Sequence, residues 1–429
     1  MSLEERRVYQ EACIRCSQCK FVPAPKSKAF SSICPSIDYG QFHAYSGGGK
    51  VITSYALVKN NLEATPRLID SVFACTMCGA CDTACKTNEG DNVEPMDTMY
   101  ALRAHLAKAG NVPPVLRELV ERMLAQGSHL GPRHSRNDWA VGLSLTNASQ
   151  GPVDVLLHIG GEVAFDKAQW PSLRTTIKIM QKTGIDFGVA MDDENDGGGT
   201  AYDIGYQDVA LEMAQALAEV VRKSHAELVV TTSAQAYSAF RNIYPRLGVE
   251  LGAVEVLHVS DYLERLLQQG VFALTGKSQK IITYHDPCKL GRMSETYVQW
   301  QGKWINVLNT LSVPDSTRPV RFGNGGNYES ARQTLSRVPG LTLVEMERNR
   351  AHSYCCGASA GTPQAYPEMA EMAAINRLKE AQATGASCLV TSCAGCELHL
   401  RAIAQRNNFQ IEVKGVLEVV ADHIQWGQA

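Results

Sequence analysis

All fourteen cysteines of this 429-residue chain fall in two blocks, one between Cys13 and Cys85 and the other between Cys288 and Cys396. In a cytoplasm that keeps thiols reduced, thiols grouped this way read as metal ligands or redox groups rather than covalent staples. The first block holds two runs. They are Cys13-Ile14-Arg15-Cys16-Ser17-Gln18-Cys19, followed by Cys34, and Cys75-Thr76-Met77-Cys78-Gly79-Ala80-Cys81, followed by Cys85. Each run contains C-x2-C-x2-C, a spacing that lets three sulfurs wrap one face of a cubane iron-sulfur cluster. In two-cluster ferredoxins the fourth cysteine of each run serves the other cluster. That pattern assigns Cys13, Cys16, Cys19 and Cys85 to one cubane 4Fe-4S centre, and Cys34, Cys75, Cys78 and Cys81 to a second. Zinc competes for thiolates, but its sites usually use paired C-x2-C knuckles without the third cysteine. Two departures stand out: Cys34 follows Cys19 at a distance, and Lys86 rather than proline follows Cys85.

The second block brings five thiols together from three short segments: Tyr284-His285-Asp286-Pro287-Cys288, Ser353-Tyr354-Cys355-Cys356-Gly357, and Thr391-Ser392-Cys393-Ala394-Gly395-Cys396. Adjacent cysteines are poor packing residues and awkward partners for a structural disulfide. They suit two thiolates converging on one inorganic centre, and five thiols are one more than an ordinary cubane takes. Cys388, inside an apolar segment, reads instead as core. Near this block, His285 is a candidate proton donor or a hydrogen-bond donor to a cluster sulfur, against the plainer reading of a histidine filling a strand end. His352 is a weaker candidate of the same kind. Lys289 and Arg292 would add positive charge, raising a cluster potential or holding an anion, although basic residues on a short segment are more often solvated. Gly325-Gly326 lacks the strand and helix context of a dinucleotide fingerprint, so no nicotinamide or flavin is expected in this chain.

From Val153 onward the chain is internally duplicated. Val155-Leu156-Leu157-His158-Ile159-Gly160-Gly161 parallels Ile282 to Cys288, and Leu228 to Ala236 parallels Cys388 to Cys396. The second offset, carried back, sets Asn195-Asp196-Gly197 opposite Cys355-Cys356-Gly357. In the first copy Gly161, Asn195, Asp196, Ser233 and Ala236 then replace all five cysteines. That copy keeps the scaffold without the site, and its expected role is to close over the second. Apolar runs at Val153–Leu157, Ile185–Met191 and Leu228–Val230 predict buried parallel strands, with helices at Val209–Lys223 and Pro367–Ala383 covering them. Nearer the N-terminus, helical spacing covers Tyr55–Ser71 (broken near Pro66), Met96–Ala109 and Val115–Gln126. The expected organisation is a mainly helical two-cluster ferredoxin domain over residues 1–126, a linker over 127–152, and two tandem α/β domains over 153–275 and 276–429. The fold class is thus α+β for the first part and α/β for the rest. In the Gly-, Ser- and Pro-rich linker, Trp139 is expected to pin the chain to a domain, and His134 to be solvated rather than a ligand.

These residues resemble the cysteine-rich iron-sulfur proteins typified by the catalytic part of heterodisulfide reductase, in the form that fuses a two-cluster ferredoxin domain to duplicated CCG domains. The resemblance rests on both ferredoxin runs, Tyr284 to Cys288, Cys355 to Gly357 and Cys393 to Cys396. It implies that Cys288, Cys355, Cys356, Cys393 and Cys396 bind one noncubane 4Fe-4S cluster. Where the namesake enzyme attacks a disulfide with two such clusters, this chain supplies one. The expectation is therefore an electron-transfer subunit of a larger oxidoreductase complex, partnered by a flavoprotein or a membrane quinone-linked subunit. The alternatives are a disulfide or thiol reductase working at the single noncubane cluster, or an iron-sulfur subunit of a quinone-linked 2-hydroxyacid or glycerol-3-phosphate dehydrogenase. A non-redox scaffold with structural metal is a third class, disfavoured by the cysteine spacings. The net charge of -3 shows no basic footprint for nucleic acid. No apolar run approaches the roughly 20 residues of a membrane span. A cytoplasmic chain, able to meet a membrane through a partner, is the expectation.

Overall fold

The computed structural model describes residues 2–90, 92–130, 135–308 and 311–426, so His134 lies outside the described residues. The N-terminal part is helical, as expected. Helices Pro95–Lys108 and Pro114–Gln126 follow the apolar spacing. The segment read as one helix with a break is instead two, Gly47–Val58 and Pro66–Phe73. Pro66 begins the second of these, because a first-turn residue needs no N–H partner, and the Thr65 side chain accepts from Leu68 N at 3.3 Å. The first helix starts eight residues early, on three glycines that propensity alone would reject. A Cβ on Gly47 would sit 2.7 Å from Cys81 Cβ and 3.7 Å from Cys19 Cβ. Only bare backbone can press this helix start against the loops of both cysteine runs.

The duplication appears as two parallel sheets of the same strand order. In the first, Phe187–Val189, Val155–His158, Leu228–Thr231 and Glu255–His258 lie side by side, with Thr146–Asn147 added at the edge. In the second, the order is Thr342–Leu343, Ile281–His285, Cys388–Thr391 and Glu412–Gly415. Register repeats too: Val155 pairs with Leu228 as Ile282 pairs with Cys388, and His158 with Thr231 as His285 with Thr391. Both offsets read from the sequence are therefore the structural ones. Helices Gln207–Lys223 and Pro367–Ala383 occupy equivalent positions after Tyr206 and Tyr366.

Between these anchors the sequence alignment slips by one residue. Gly357 has φ 99°, and a Cβ there would meet Ala370 O at 2.5 Å; in the first copy that contact belongs to Gly198, whose Cβ would meet Ala210 O at 2.6 Å. Gly198, not Gly197, thus stands for Gly357. The residues opposite Cys355 and Cys356 are then Asp196 and Gly197, rather than Asn195 and Asp196.

One apolar core joins the two copies, with Val155, Leu157 and Val230 packed in the same cluster as Ile282, Tyr284 and Val390; Cys388 belongs to it, 1% exposed. The boundary drawn at residue 275 is bridged, because Phe272–Leu274 pairs antiparallel with Ile424–Trp426 near the C-terminus. Nor is the stretch after residue 126 a free tether. Thr146–Asn147 extends the first sheet, and Trp139 is buried in the shared core.

Candidate metal centres and the cleft between the copies

The two N-terminal runs wrap in one local conformation. Arg15 and Ser17 have φ of 62° and 71°, and the residues at the same places in the second run, Met77 and Gly79, have 50° and 76°. Left-handed backbone costs roughly 1–3 kcal/mol at a non-glycine residue and persists where surrounding contacts over-determine it. Here the same left-handed turn recurs at equivalent places in both runs. The Cys85 thiol is pushed up by burial, and also by Asp82 and the Cys19, Cys13 and Cys16 thiols that it faces. Cys34 is pushed up to about 12 by burial, with Lys50 opposing and Cys75 and Cys78 beside it. Cys85 thus lies near the Cys13–Cys19 run, and Cys34 near Cys75 and Cys78. None of the fourteen is in a disulfide. Gly48 N donates to Cys19 Sγ at 3.2 Å, the kind of backbone contact that cluster sulfurs receive. An all-thiol donor set with N–H groups turned on it fits an iron-sulfur cluster.

The five C-terminal thiols converge where the strands end, the position at which open α/β sheets place their chemistry. Cys356 Sγ and Cys396 Sγ are 3.2 Å apart. Cys393 caps the helix Ala394–Arg406 by accepting from Cys396 N at 3.4 Å, and Ser233 makes the same cap in the first copy with Ala236 N at 3.2 Å. The Cys355 thiol is driven up by its neighbours Cys288, Cys356 and Cys78 and by burial. Cys78 comes from the N-terminal run, and it packs with Cys34, Cys288 and Cys355 in one buried cluster.

Three further ties hold that junction. Arg292 donates to Cys78 O at 2.6 Å, Ala351 O at 3.0 Å and Ser353 O at 2.7 Å. Tyr354 Oη donates to Asp38 Oδ2 at 2.7 Å, and Arg348 reaches Ser32 O at 2.8 Å. Arg292 is 3% exposed, and Lys289, paired with Asp203 at 2.6 Å, is 5% exposed. Both are structural cations in the interior rather than solvated side chains.

His285 is fully buried. Its Nδ1 accepts from Arg377 Nε at 3.0 Å, and because a guanidinium is always protonated the ring proton must sit on Nε2. That Nε2 has no hydrogen-bond partner among the described residues, and a ring nitrogen of His285 lies within 4.8 Å of Cys356 Sγ and Cys396 Sγ. The neutral ring thus offers an N–H on the side away from Arg377. Its counterpart His158 spends the same Nε2 on Asn195 O at 2.9 Å. His352 lies elsewhere, on the one-turn helix Arg350–His352 packed against Ala80–Glu89, and it does not line the cleft at the cysteines.

That cleft lies between the copies. Cys288, Cys356, Cys393 and Cys396 line one side, while Glu162, Thr200, Ser233 and Gln235 of the first copy line the other. Burial raises the Glu162 carboxyl. No sequence signal marked Glu162, since it follows the first-copy strand as an ordinary helix-start residue.

The vacated site of the first copy is filled by the preceding stretch. Arg136 reaches Glu194 at 3.0 Å and Asp196 at 2.9 Å, Asp196 N donates to Gly127 O at 2.9 Å, and His129 lies 3.6 Å from Asp196. Glu194 in turn accepts from Ile159 N and Gly160 N at 2.8 and 3.0 Å. An ion-pair plug stands where the second copy gathers thiols.

With this geometry in place, the comparisons with known proteins are specific. Residues 9–88 match the 4Fe-4S dicluster domain, and residues 321–401 match the CCG cysteine-rich domain. These define an iron-sulfur oxidoreductase subunit of the heterodisulfide reductase type, a 4Fe-4S protein. Within that class the chain is a homologue of one component of the dihydromethanophenazine:CoB–CoM heterodisulfide reductase. It is 26% identical to that component from Methanosarcina mazei, across 96% of this chain and 93% of that one. It is also 26% identical to a probable membrane-anchored ferredoxin of Chromohalobacter salexigens, over 96% of this chain and 59% of that one. A component of the fumarate reductase (CoM/CoB) of Methanothermobacter marburgensis is 21% identical over 95% of this chain and 71% of that one. A hypothetical protein from Helicobacter pylori shares the fold, with TM-score 0.52 and 9% identity over 88% of this chain and 68% of that one. Among the described residues no helix is long and apolar enough to cross a membrane.

Proposed function

We propose that this chain is an electron-relay subunit of a multisubunit oxidoreductase. Cys13, Cys16, Cys19 and Cys85 would hold one cubane 4Fe-4S cluster, and Cys34, Cys75, Cys78 and Cys81 a second. Cys288, Cys355, Cys356, Cys393 and Cys396 would hold a noncubane 4Fe-4S cluster. Such clusters, when bound, take up and release single electrons at potentials set by charge, hydrogen bonds and exposure. The observation that carries the proposal is the packing of Cys34 and Cys78 with Cys288 and Cys355 in one buried cluster. It makes the second N-terminal set and the C-terminal set immediate neighbours, with Arg292, Arg348 and Tyr354 fixing their spacing. The partner would be a flavoprotein or a membrane quinone-linked subunit, and the net charge of -3 does not suit nucleic acid. His285 would donate its Nε2 proton in a hydrogen bond to sulfur. His352, outside the cleft, has no such claim.

The cleft supports a second reading, a thiol or disulfide reductase at the C-terminal site, since Glu162, Thr200 and Gln235 face the cysteines across a space a substrate sulfur would occupy. Anaerobic EPR with iron analysis, comparing the wild type with Cys355→Ala, tests the shared premise. About twelve irons per chain are expected, falling by about four with loss of one signal in the variant. Eight irons, unchanged by the substitution, would leave the C-terminal thiols without a cluster and end both readings. Mixing the prereduced protein with a panel of disulfides separates the two. Reoxidation of the clusters by a disulfide favours the reductase, and its absence across the panel favours the relay.

A further inference from the structure

The relay proposed above needs a place where electrons cross the protein surface, and the cysteine sets differ in their access to it. Cys34, Cys75, Cys78 and Cys81 are all buried, as are Cys288, Cys355, Cys356 and Cys396, while Cys393 is half-buried at the cleft between the copies. Cys16 is exposed and Cys13 half-buried. The Cys13–Cys19 turn therefore holds the one cysteine of the fourteen that is exposed, and large apolar side chains near it in sequence are exposed too. Ile14 is 72% exposed and Phe42 69%, with Phe21 at 45%. Large apolar side chains left in water beside one loop mark a contact surface more often than a solvated face.

The charge of this region is also distinctive. Between Ala12 and His43 there are four basic residues, Arg15, Lys20, Lys26 and Lys28, and one acid, Asp38, in a chain whose net charge is -3. The Asp38 carboxylate is already engaged, by Ser32 at 2.7 Å and Tyr354 at 2.7 Å. Arg15 and Lys20 both bear on His43, whose pKa is lowered chiefly by burial and then by these two cations. His43 itself lies against the turn, since a Cβ on Gly48 would touch His43 Cε1, Cys13 Sγ and Cys19 Sγ together. Ile14 and Arg15 follow Cys13, Lys20 and Phe21 follow Cys19, and Phe42 precedes His43, so apolar and cationic side chains flank the same turn. An apolar patch rimmed by charge of one sign fits a partner of opposite sign, with the charges steering encounter and the apolar groups holding the docked pair.

We propose that the face built from Ile14, Arg15, Lys20, Phe21 and Phe42 is the docking surface for an acidic one-electron carrier protein, which exchanges electrons with this chain at the Cys13–Cys19 turn. The proposal rests on the relay reading, and the experiment keeps the two apart. A reduced, strongly acidic ferredoxin is mixed in stopped flow with the cluster-loaded chain, and photoreduced deazaflavin serves as a small uncharged donor. For the wild type, the second-order rate constant with ferredoxin is expected to fall at least tenfold between low and near-molar salt, while the deazaflavin rate stays constant. Arg15→Glu/Lys20→Glu is expected to lower the ferredoxin rate at least tenfold and flatten its salt dependence. Phe42→Ser is expected to lower it severalfold at every salt concentration. Both variants are expected to keep wild-type iron content, and each variant's ferredoxin rate is read relative to its own deazaflavin rate, which corrects for any shift in cluster potential. An unchanged ferredoxin rate in both variants would overturn the docking face and leave the relay standing. A salt-independent rate in the wild type would do the same without any variant. Clusters that accept no electron even from deazaflavin would sink the relay reading itself.

Discussion

Replacing Arg136 with methionine is expected to destabilise the first copy by about 3–5 kcal/mol, the cost of stripping one partner from a buried ion pair. The Arg136 side chain is 9% exposed, and the carboxylates it bridges, Glu194 and Asp196, are 3% and 10% exposed. Burial raises the Asp196 pKa, but Arg136 and His129 more than offset it, and the net value lies well below the ordinary 3.8. A depressed carboxyl contributes stability that is present above its unfolded pKa and is lost as pH falls through the folded one. Without Arg136 the sign reverses, because a buried carboxyl lacking its cation binds its proton more tightly than the unfolded chain does. The difference between wild type and variant should therefore widen as pH rises from about 4 toward 8. Native-state hydrogen exchange in the strands Val155–His158 and Leu228–Thr231 is the suitable readout, since a multidomain metal protein has no single unfolding free energy. Protection factors equal to those of the wild type at pH 8 would show that the plug contributes nothing. Iron content is expected to hold, as Arg136 lies on the side of the cleft that carries no thiols.

That plug marks where reading the sequence stopped short. The cysteine runs and the duplication were legible because both are patterns of spacing, and strand register then reproduced both offsets at Val155 and Leu228. The slip at Gly198 was not legible. The chain is one residue shorter between Gly198 and Tyr206 than between Gly357 and Tyr366, and only the contacts of Gly198 and Gly357 with the following helix reveal it. Nor were the buried arginines. Basic side chains are found inside only when paired, and the groups that pair Arg103, Arg292 and Arg348 come from distant segments. Arg103 donates to Asp203 O, Phe73 O and Cys75 O at 2.8, 3.1 and 2.8 Å, tying the helical domain to the first copy. For the same reason the Gly- and Ser-rich stretch from Gly127 read as a tether. Its partners, Glu194 and Asp196, lie about sixty residues on.

Arg292 offers the sharpest test of how the N-terminal and C-terminal sites communicate. Burial lowers its pKa, and Cys78 and Cys288 more than compensate, so the net value is raised. The cation therefore stands between the two thiol sets whose contact underlies the relay proposal, and its three hydrogen bonds fix their loops. Arg292→Met should act in two ways. Loss of the positive charge makes an added electron less favourable. Two charges 4 Å apart interact by about 4 kcal/mol at an effective dielectric of about 20. A cation somewhat further off thus shifts a one-electron potential by roughly 50–100 mV, downward when it is removed. Loss of the guanidinium also leaves Cys78 O, Ala351 O and Ser353 O buried without donors, at about 1–3 kcal/mol each. Arg292→Lys separates the effects, because it keeps the charge and loses the fork that reaches three carbonyls. EPR-monitored redox titration should show a lowered potential for methionine and a near-native one for lysine. Both should slow reduction of the C-terminal site relative to the N-terminal pair. Native potentials in the methionine variant at full iron content would show that Arg292 does not tune the clusters. Unchanged transfer in both variants would show that electrons do not cross where Cys78 meets Cys355.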